Sequence, residues 1–196
     1  MIDATVPQHV PVADRAPDRD FSPSLALIEA APKAVGRLVG IVVRPSRETR
    51  AMVEEAEVDL ELGVVGDNWF ERGSSSTPDG SARLDSQVTV ISTRVLAAIE
   101  PDESRWPLAG DQLYVDLDLS QENLPIGSRL AIGSAVLEVT AEPHTGCAKF
   151  SARFGSDALR WTNTPLGRGL RMRGMNTQVV RSGSIRVGDE VRVARA

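Results

Sequence analysis

Residues 128–155 read SRLAIGSAVLEVTAEPHTGCAKFSARFG, and two periodicities meet in them. From Ser128 to Pro143 apolar and polar residues alternate, which predicts two strands joined at Gly133-Ser134, a dipeptide suited to a hairpin turn. From Cys147 to Asn163, in CAKFSARFGSDALRWTN, the pattern predicts one or two helical turns on each side of Gly155. The switch from strand to helix therefore falls at Cys147, the one cysteine of the chain.

Working outward, the same short apolar runs recur. GRLVGIVVRP, residues 36–45, is β-branched and stops at Pro45. AMVEEAEVDLELG, residues 51–63, partly alternates apolar and acidic positions, as a strand with one wet face would. QVTVIS at 87–92 and QLYVDLDL at 112–119 are further strands. Between them STRVLAAIEP predicts a short helix capped by Ser92 or Thr93 and ended near Pro101. The C-terminal NTQVVRSGSIRVGDEVRVARA predicts short strands with turns at Ser182-Gly183 and Gly188-Asp189. Many short strands, glycine-rich turns and few helices define a mainly β chain, a barrel or a sandwich.

Ahead of this domain, residues 1–20 carry Pro, Asp and Arg with little to bury and read as a mobile arm. Residues 21–35 hold a short helix, with Ser22 as its cap, Pro23 at its first position and Pro32 at its end. The barrel domain is expected over 36–196. A net charge of −5 gives no overall reason to expect nucleic acid. Trp69, Trp106 and Trp161 are too scattered for a stacking platform and read as core or pocket wall. No run approaches the ~20 apolar residues a spanning helix needs, and the first residues do not form a signal peptide. A single cysteine forms no internal disulfide, which fits a reducing compartment. A cytoplasmic protein, with no nucleic-acid and no membrane partner, is the expectation.

Chemistry concentrates in two basic segments. In PHTGCAKF, residues 143–150, Thr145 is placed to cap the following helix, which would set Cys147 in its first turn. Amide dipoles, Lys149 and Arg153 would then favour a thiolate, the form that attacks electrophiles and binds soft metals. The competing reading is an inert thiol, since free cysteines are often plain core. His144 by itself reads more readily as a satisfied structural histidine. Zinc is poorly supported, because one Cys and two His, one of them His9 in the arm, do not close a four-ligand site. The second segment is GRGLRMRG, residues 167–174. Its Arg168, Arg171 and Arg173 suit a phosphate or another multi-oxygen anion, or else a solvated loop. The Gly-Asp pairs in GVVGDNWF and LAGDQLYV read as tight turns. RGSSSTPDGSARLD, residues 72–85, reads as a long mobile loop or a lid.

In this order GRLVGIVVRPS, GVVGDNW, QVTVIS, LAGDQLYVDLDL, the 124–155 segment with its single Cys followed by Lys and Arg-Phe-Gly, GRGLRMRG and GSIRVGDEV resemble the MOSC domain, a family named after the C-terminal domain of molybdenum cofactor sulfurase. The resemblance spans about residues 36–193. It implies a strongly bent β-barrel, with Cys147 either binding sulfur or serving as thiolate ligand to molybdenum in a pterin cofactor. His144 and Lys149 would tune that thiolate or donate to a bound oxyanion, and Arg153, Arg168, Arg171 and Arg173 would contact the pterin phosphate. Such a site would reduce N-hydroxylated small molecules with electrons from an external redox partner. The alternative is a persulfide or cofactor carrier that serves a client molybdoenzyme, and a third reading is a binding module with an inert thiol. The chain departs from the family's pattern in lacking a His-Gly-Gly segment in its first half. It also has no cysteine set for an iron–sulfur cluster and no aminotransferase-like half with a pyridoxal phosphate lysine.

Overall fold

The structure is a computed structural model that describes residues 19–194. Most of the stretch read as an arm, including His9, lies outside the described residues. The strands are β1 (Val35–Val43), β2 (Ala51–Val53), β3 (Glu55–Asp59), β4 (Gly63–Val64), β5 (Val88–Ser92), β6 (Leu113–Asp116), β7 (Arg129–Ile132), β8 (Ala135–Val139), β9 (Met175–Arg181), β10 (Gly183–Arg186) and β11 (Glu190–Ala194). The order β11-β7-β8-β9-β5-β6-β1 closes on itself through a β1–β11 pairing, so seven strands form a barrel. The closing register pairs Val35 with Arg192 and Arg37 with Glu190. Strands β3, β4 and β10 make a separate small sheet.

The barrel is mixed because β5 and β6 run parallel. Parallel neighbours need a crossover; α1 (Leu25–Glu29) and α2 (Trp69–Arg72) precede β5, and α3 (Thr93–Ile99), between β5 and β6, supplies it. The two-residue period of the strands then sorts side chains into two layers. Ile41, Val90, Leu113 and Val115 point into the barrel core. Their neighbours Val42, Ile91 and Tyr114 point outward, into a second cluster with Leu96, Ile99, Phe150 and Phe154. Both faces of β5 are thus covered, which explains why all of its residues, Thr89 and Ser92 included, are buried. Burying these side chains is worth roughly 1.5–3 kcal/mol each before entropy is counted.

The outer cluster positions the functional residues. The expected helical insert exists as α4 (Ala148–Phe154) and α5 (Ser156–Thr162), separated by Gly155 at φ +96. Phe150 and Phe154 of α4, with ring centroids 5.0 Å apart, dock it on the outside of the barrel. A further short helix, α6 (Pro165–Gly169), opens on Thr164, whose hydroxyl accepts the Gly167 N–H.

Three local expectations need correction. Residues 51–63 are not one strand: the ladder breaks at Glu54, β2 stays on β1, and β3 joins β10. The Asp59 carboxylate then accepts the N–H groups of Glu61 and Leu62 and turns the chain into β4. Residues 22–32 form a 3-10 turn (Ser22–Ser24) and the five-residue α1, and Ser22 caps neither. The Asp20 carboxylate accepts the Ser22 N–H instead. Finally, the loop after α2 folds back on itself: Ser74 N–H donates to the Gly80 carbonyl, and the Thr77 hydroxyl reaches the Ser74 and Ser81 carbonyls.

Candidate functional site

The site is built around a buried wall of three side chains. Gly110, at φ +89, ends the 3-10 segment Glu103–Ala109 and delivers Asp111 into the interior, where its side chain is fully buried. Arg173 Nη1 donates to Asp111 Oδ2 at 2.7 Å, and its Nη2 donates to the Ala109 carbonyl at 3.0 Å. The Arg173 guanidinium also lies 4.6 Å from the centre of the Phe150 ring. His144 Nε2 lies 2.7 Å from Asp111 Oδ1. Burial works against a charge on Asp111, but the charges of Arg173 and His144 outweigh it and hold the carboxyl below its ordinary range. Burial, and next the Arg173 charge, push the imidazole below its ordinary value over the opposing pull of Asp111.

His144 Nε2 lies within hydrogen-bond distance of both Asp111 Oδ1, at 2.7 Å, and Arg173 Nη1, at 3.0 Å, so the tautomer sets whether it donates to the carboxylate or accepts from the guanidinium. Gly174 makes the close approach of this wall feasible. It sits at φ +98, and a Cβ there would lie 2.5 Å from the Val90 carbonyl oxygen and 3.1 Å from the His144 ring.

On one side of the wall opens a cleft of about 800 Å³. Cys147 lies on it, exposed, as the residue just before α4. The cap expected from Thr145 is not made: Cys147 occupies the N-cap position, and no side chain caps α4. The RPSRETR segment after β1 lines the same cleft, with Arg44, Arg47 and Arg50, and the end of α2 adds Arg72. Lys149 Nζ is 2.6 Å from Glu48 Oε1, and Arg153 is 3.7 Å from Glu48 Oε2 while donating to the Leu108 carbonyl at 2.9 Å. The hydrogen bond and charge of Lys149 hold the Glu48 carboxyl below its usual range. Glu48 itself sits at φ +68, a costly conformation for a residue with a Cβ. Arg44 grips the fully buried Asp67 through two hydrogen bonds of 2.7 and 2.8 Å. The Arg47 and Arg72 guanidiniums have no ion-pair partner among the described residues. Asn68 Oδ1 is buried there without a hydrogen-bond partner.

On the other side of the wall is a second cavity, of about 660 Å³. Arg168 and Arg171 line this one, not the Cys147 cleft. The residues expected together are therefore divided. Cys147, Lys149 and Arg153 share the cleft, Arg168 and Arg171 share the second cavity, and His144 and Arg173 border both.

Sequence reasoning missed Asp67 and Asp111, because a Gly-Asp pair is adequately explained as a turn. Each is also a buried acceptor for an arginine. It also missed Arg44, Arg47, Arg50 and Arg72. The available signal was the density of arginine in RPSRETR directly after a strand. Of the three tryptophans, Trp69 and Trp106 are buried, and Trp161 stacks on Phe21 at 4.7 Å. Among the described residues no group of three or more His, Cys, Asp and Glu could hold a metal ion, and no helix is long and apolar enough to cross a membrane.

Comparison with known proteins gives the same fold. YuaD from Bacillus subtilis superposes with a TM-score of 0.59 at 18% identity, over 83% of this chain and 97% of that one. YiiM from Geobacillus stearothermophilus gives 0.55 at 16% identity, over 81% and 75% of the two chains. YiiM from Escherichia coli gives 0.53 at 19% identity, over 82% and 70%. No curated protein matches the sequence. The sequence pattern of the MOSC domain matches residues 78–192, more than half of the chain, and the protein belongs to the MOSC domain family.

Proposed function

We propose that this protein binds a molybdenum–pterin cofactor in the Cys147 cleft and, with an external electron donor, reduces N-hydroxylated compounds. The family is associated with molybdenum cofactor binding or sulfur transfer. One observation carries the reading: an exposed thiol and a set of basic side chains share one cleft of about 800 Å³. The donor set suits such a group. A single thiolate is a soft ligand for a metal whose other donors come from an organic cofactor. Arg47 and Arg72, which lack ion-pair partners among the described residues, and Lys149 and Arg153, which share only Glu48, suit its phosphate. The orphaned Asn68 Oδ1 is a buried acceptor facing the same space.

The bound cofactor would supply two-electron chemistry, and the chain's residues the positioning and the proton. Reduction of an N-hydroxyl group breaks the N–O bond and consumes two electrons and two protons, yielding the amine and water. The electrons come from a reduced flavoprotein or ferredoxin. His144 borders the cleft, coupled through Nε2 to Asp111, and would be the group that holds or passes the proton. Cys147 would be the metal's protein ligand, and Lys149 and Arg153 would orient the phosphate end.

A sulfur-carrier role is the second reading, favoured by the exposure of Cys147 to solvent. Elemental analysis of protein from a host that makes molybdenum cofactor, beside Cys147→Ser, separates the two. Near-stoichiometric molybdenum that disappears in the variant supports the cofactor reading. Metal-free protein whose intact mass shows an added sulfur on Cys147 supports the carrier and overturns it.

A further inference from the structure

The second cavity holds positive charge that nothing in the fold neutralises. Arg171 is half-buried, and its guanidinium donates to the neutral carbonyls of Leu119 and Leu124, at 3.3 and 2.6 Å, and to the Met175 sulfur at 3.9 Å, with no carboxylate partner among the described residues. Arg168 is tied by its backbone, with its carbonyl accepting from the Gln121 side chain at 3.0 Å, and its side chain has no partner among the described residues. The one carboxylate lining the cavity among the described residues, Glu142, is held by Arg83 at 2.7 and 3.2 Å. Arg171 also adopts φ +48, so the backbone is strained where the charge is presented. A half-buried guanidinium without a counterion is unfavourable unless a ligand supplies one. The lining is also partly apolar, with Pro125, Met175 and Ile126, which is 63% exposed.

We infer that this cavity is a binding site, separate from the Cys147 cleft, for a small organic anion with an oxyanion head and an apolar body. Its volume of about 660 Å³ falls in the range of small-molecule sites, which pair apolar walls with a few placed polar groups. Arg168 would meet the oxyanion at the mouth, Arg171 would supply charge from below, and Ile126 and Pro125 would cover the body. The inference stands whether or not Cys147 binds a cofactor, because the two spaces share only Glu142, His144, Thr145, Arg173 and Asn176, and neither Arg168 nor Arg171 lines the Cys147 cleft.

The test is an NMR titration of the full-length protein with phenyl phosphate, benzoate and inorganic phosphate. Expected are saturable amide shifts at Asn163 and residues 167–174 with either aromatic anion, and weaker binding of inorganic phosphate, which lacks the body. Comparing the two aromatic probes tells whether phosphate or carboxylate is the preferred head. Arg168→Ala should weaken binding by about tenfold, the usual worth of a charge-assisted hydrogen bond. Ile126→Asp, an exposed position that leaves the core untouched, should abolish it. Arg72→Ala, in the other cleft, should leave it unchanged. Absence of shifts up to tens of millimolar, or shifts confined to residues 44–50 and 147–153, would overturn the inference.

Discussion

The two cavities flanking the Asp111–Arg173–His144 wall differ both in how much positive charge they hold and in how it is matched. In the Cys147 cleft Arg44, Lys149 and Arg153 are interleaved with carboxylates, Asp67 under Arg44 and Glu48 between Lys149 and Arg153, and Arg47 and Arg72 are left without an ion-pair partner among the described residues. In the second cavity Arg168 and Arg171 meet no carboxylate among the described residues. A cleft in which part of the charge is matched internally can release a charged ligand and keep those cations paired. A cavity without one is most stable when filled. The contrast depends on the wall's neutralising its own charge, so that neither space is governed by Arg173.

The largest perturbation of this contrast is Asp111→Ala. It leaves Arg173 buried without its carboxylate, and removing one partner of a buried pair costs about 3–5 kcal/mol. Urea denaturation should show a loss of that size, with the native barrel signature retained below the transition. A cost below about 1 kcal/mol would mean that Arg173 is compensated from elsewhere and that the wall does not separate the cavities.

His144 gives the next effect. Its folded pKa lies below the ordinary 6.5, so as pH falls the unfolded chain takes up the proton first. Stability is complete above about pH 6.5 and declines as pH drops from there toward the folded value. The Asp111 contribution, with its carboxyl also lowered, is lost only below the ordinary carboxylate range and leaves that window undisturbed. Thermal melts between pH 7.5 and 5 should slope downward on acidification in the native protein and run flatter in His144→Asn. Equal slopes would place the imidazole outside the coupled wall.

The smallest effect is expected from Glu48→Gln, which removes the internal counterion of Lys149 and Arg153. Both members of that ion pair are exposed, so the change in affinity of the cleft for inorganic phosphate should be an increase of about twofold to fivefold. An unchanged or weaker affinity would show that Glu48 does not compete with incoming anions.

The barrel was legible because its strands obey a two-residue period. Val35–Val43, Val88–Ser92 and the hairpin at Gly133-Ser134 lie where alternation and turn chemistry put them. The paired helices around Gly155 were legible for the same reason, since the period changes at Cys147. Residues 51–63 were misread because alternation identifies a wet face without saying which sheet the strand joins. Only the Glu54 break and the Asp59 turn decide that. Within the site, Cys147 and Lys149 stood out by composition, whereas Asp111 was hidden in a turn motif that needs no further explanation. The arginines of 167–174 all line the second cavity, and of them only Arg173 also borders the Cys147 cleft, so the basic segment and the cysteine segment are what the fold separates. Linear proximity carries no information about which side of a buried ion pair a side chain will reach.

The barrel seam has a consequence for synthesis. Its closure joins Val35, near the first described residues, to Arg192, near the last, and Leu38 also exchanges backbone hydrogen bonds with Gly188 and Asp189. A chain emerging from the ribosome therefore carries β1 with half of one edge bare until residues 186–194 are free. Unpaired edges invite pairing with other chains, and contacts so distant in sequence form slowly. Strand β11 is thus the one that ends this exposure, and a translation product truncated before Glu190 would be an open sheet with two sticky borders in place of a barrel.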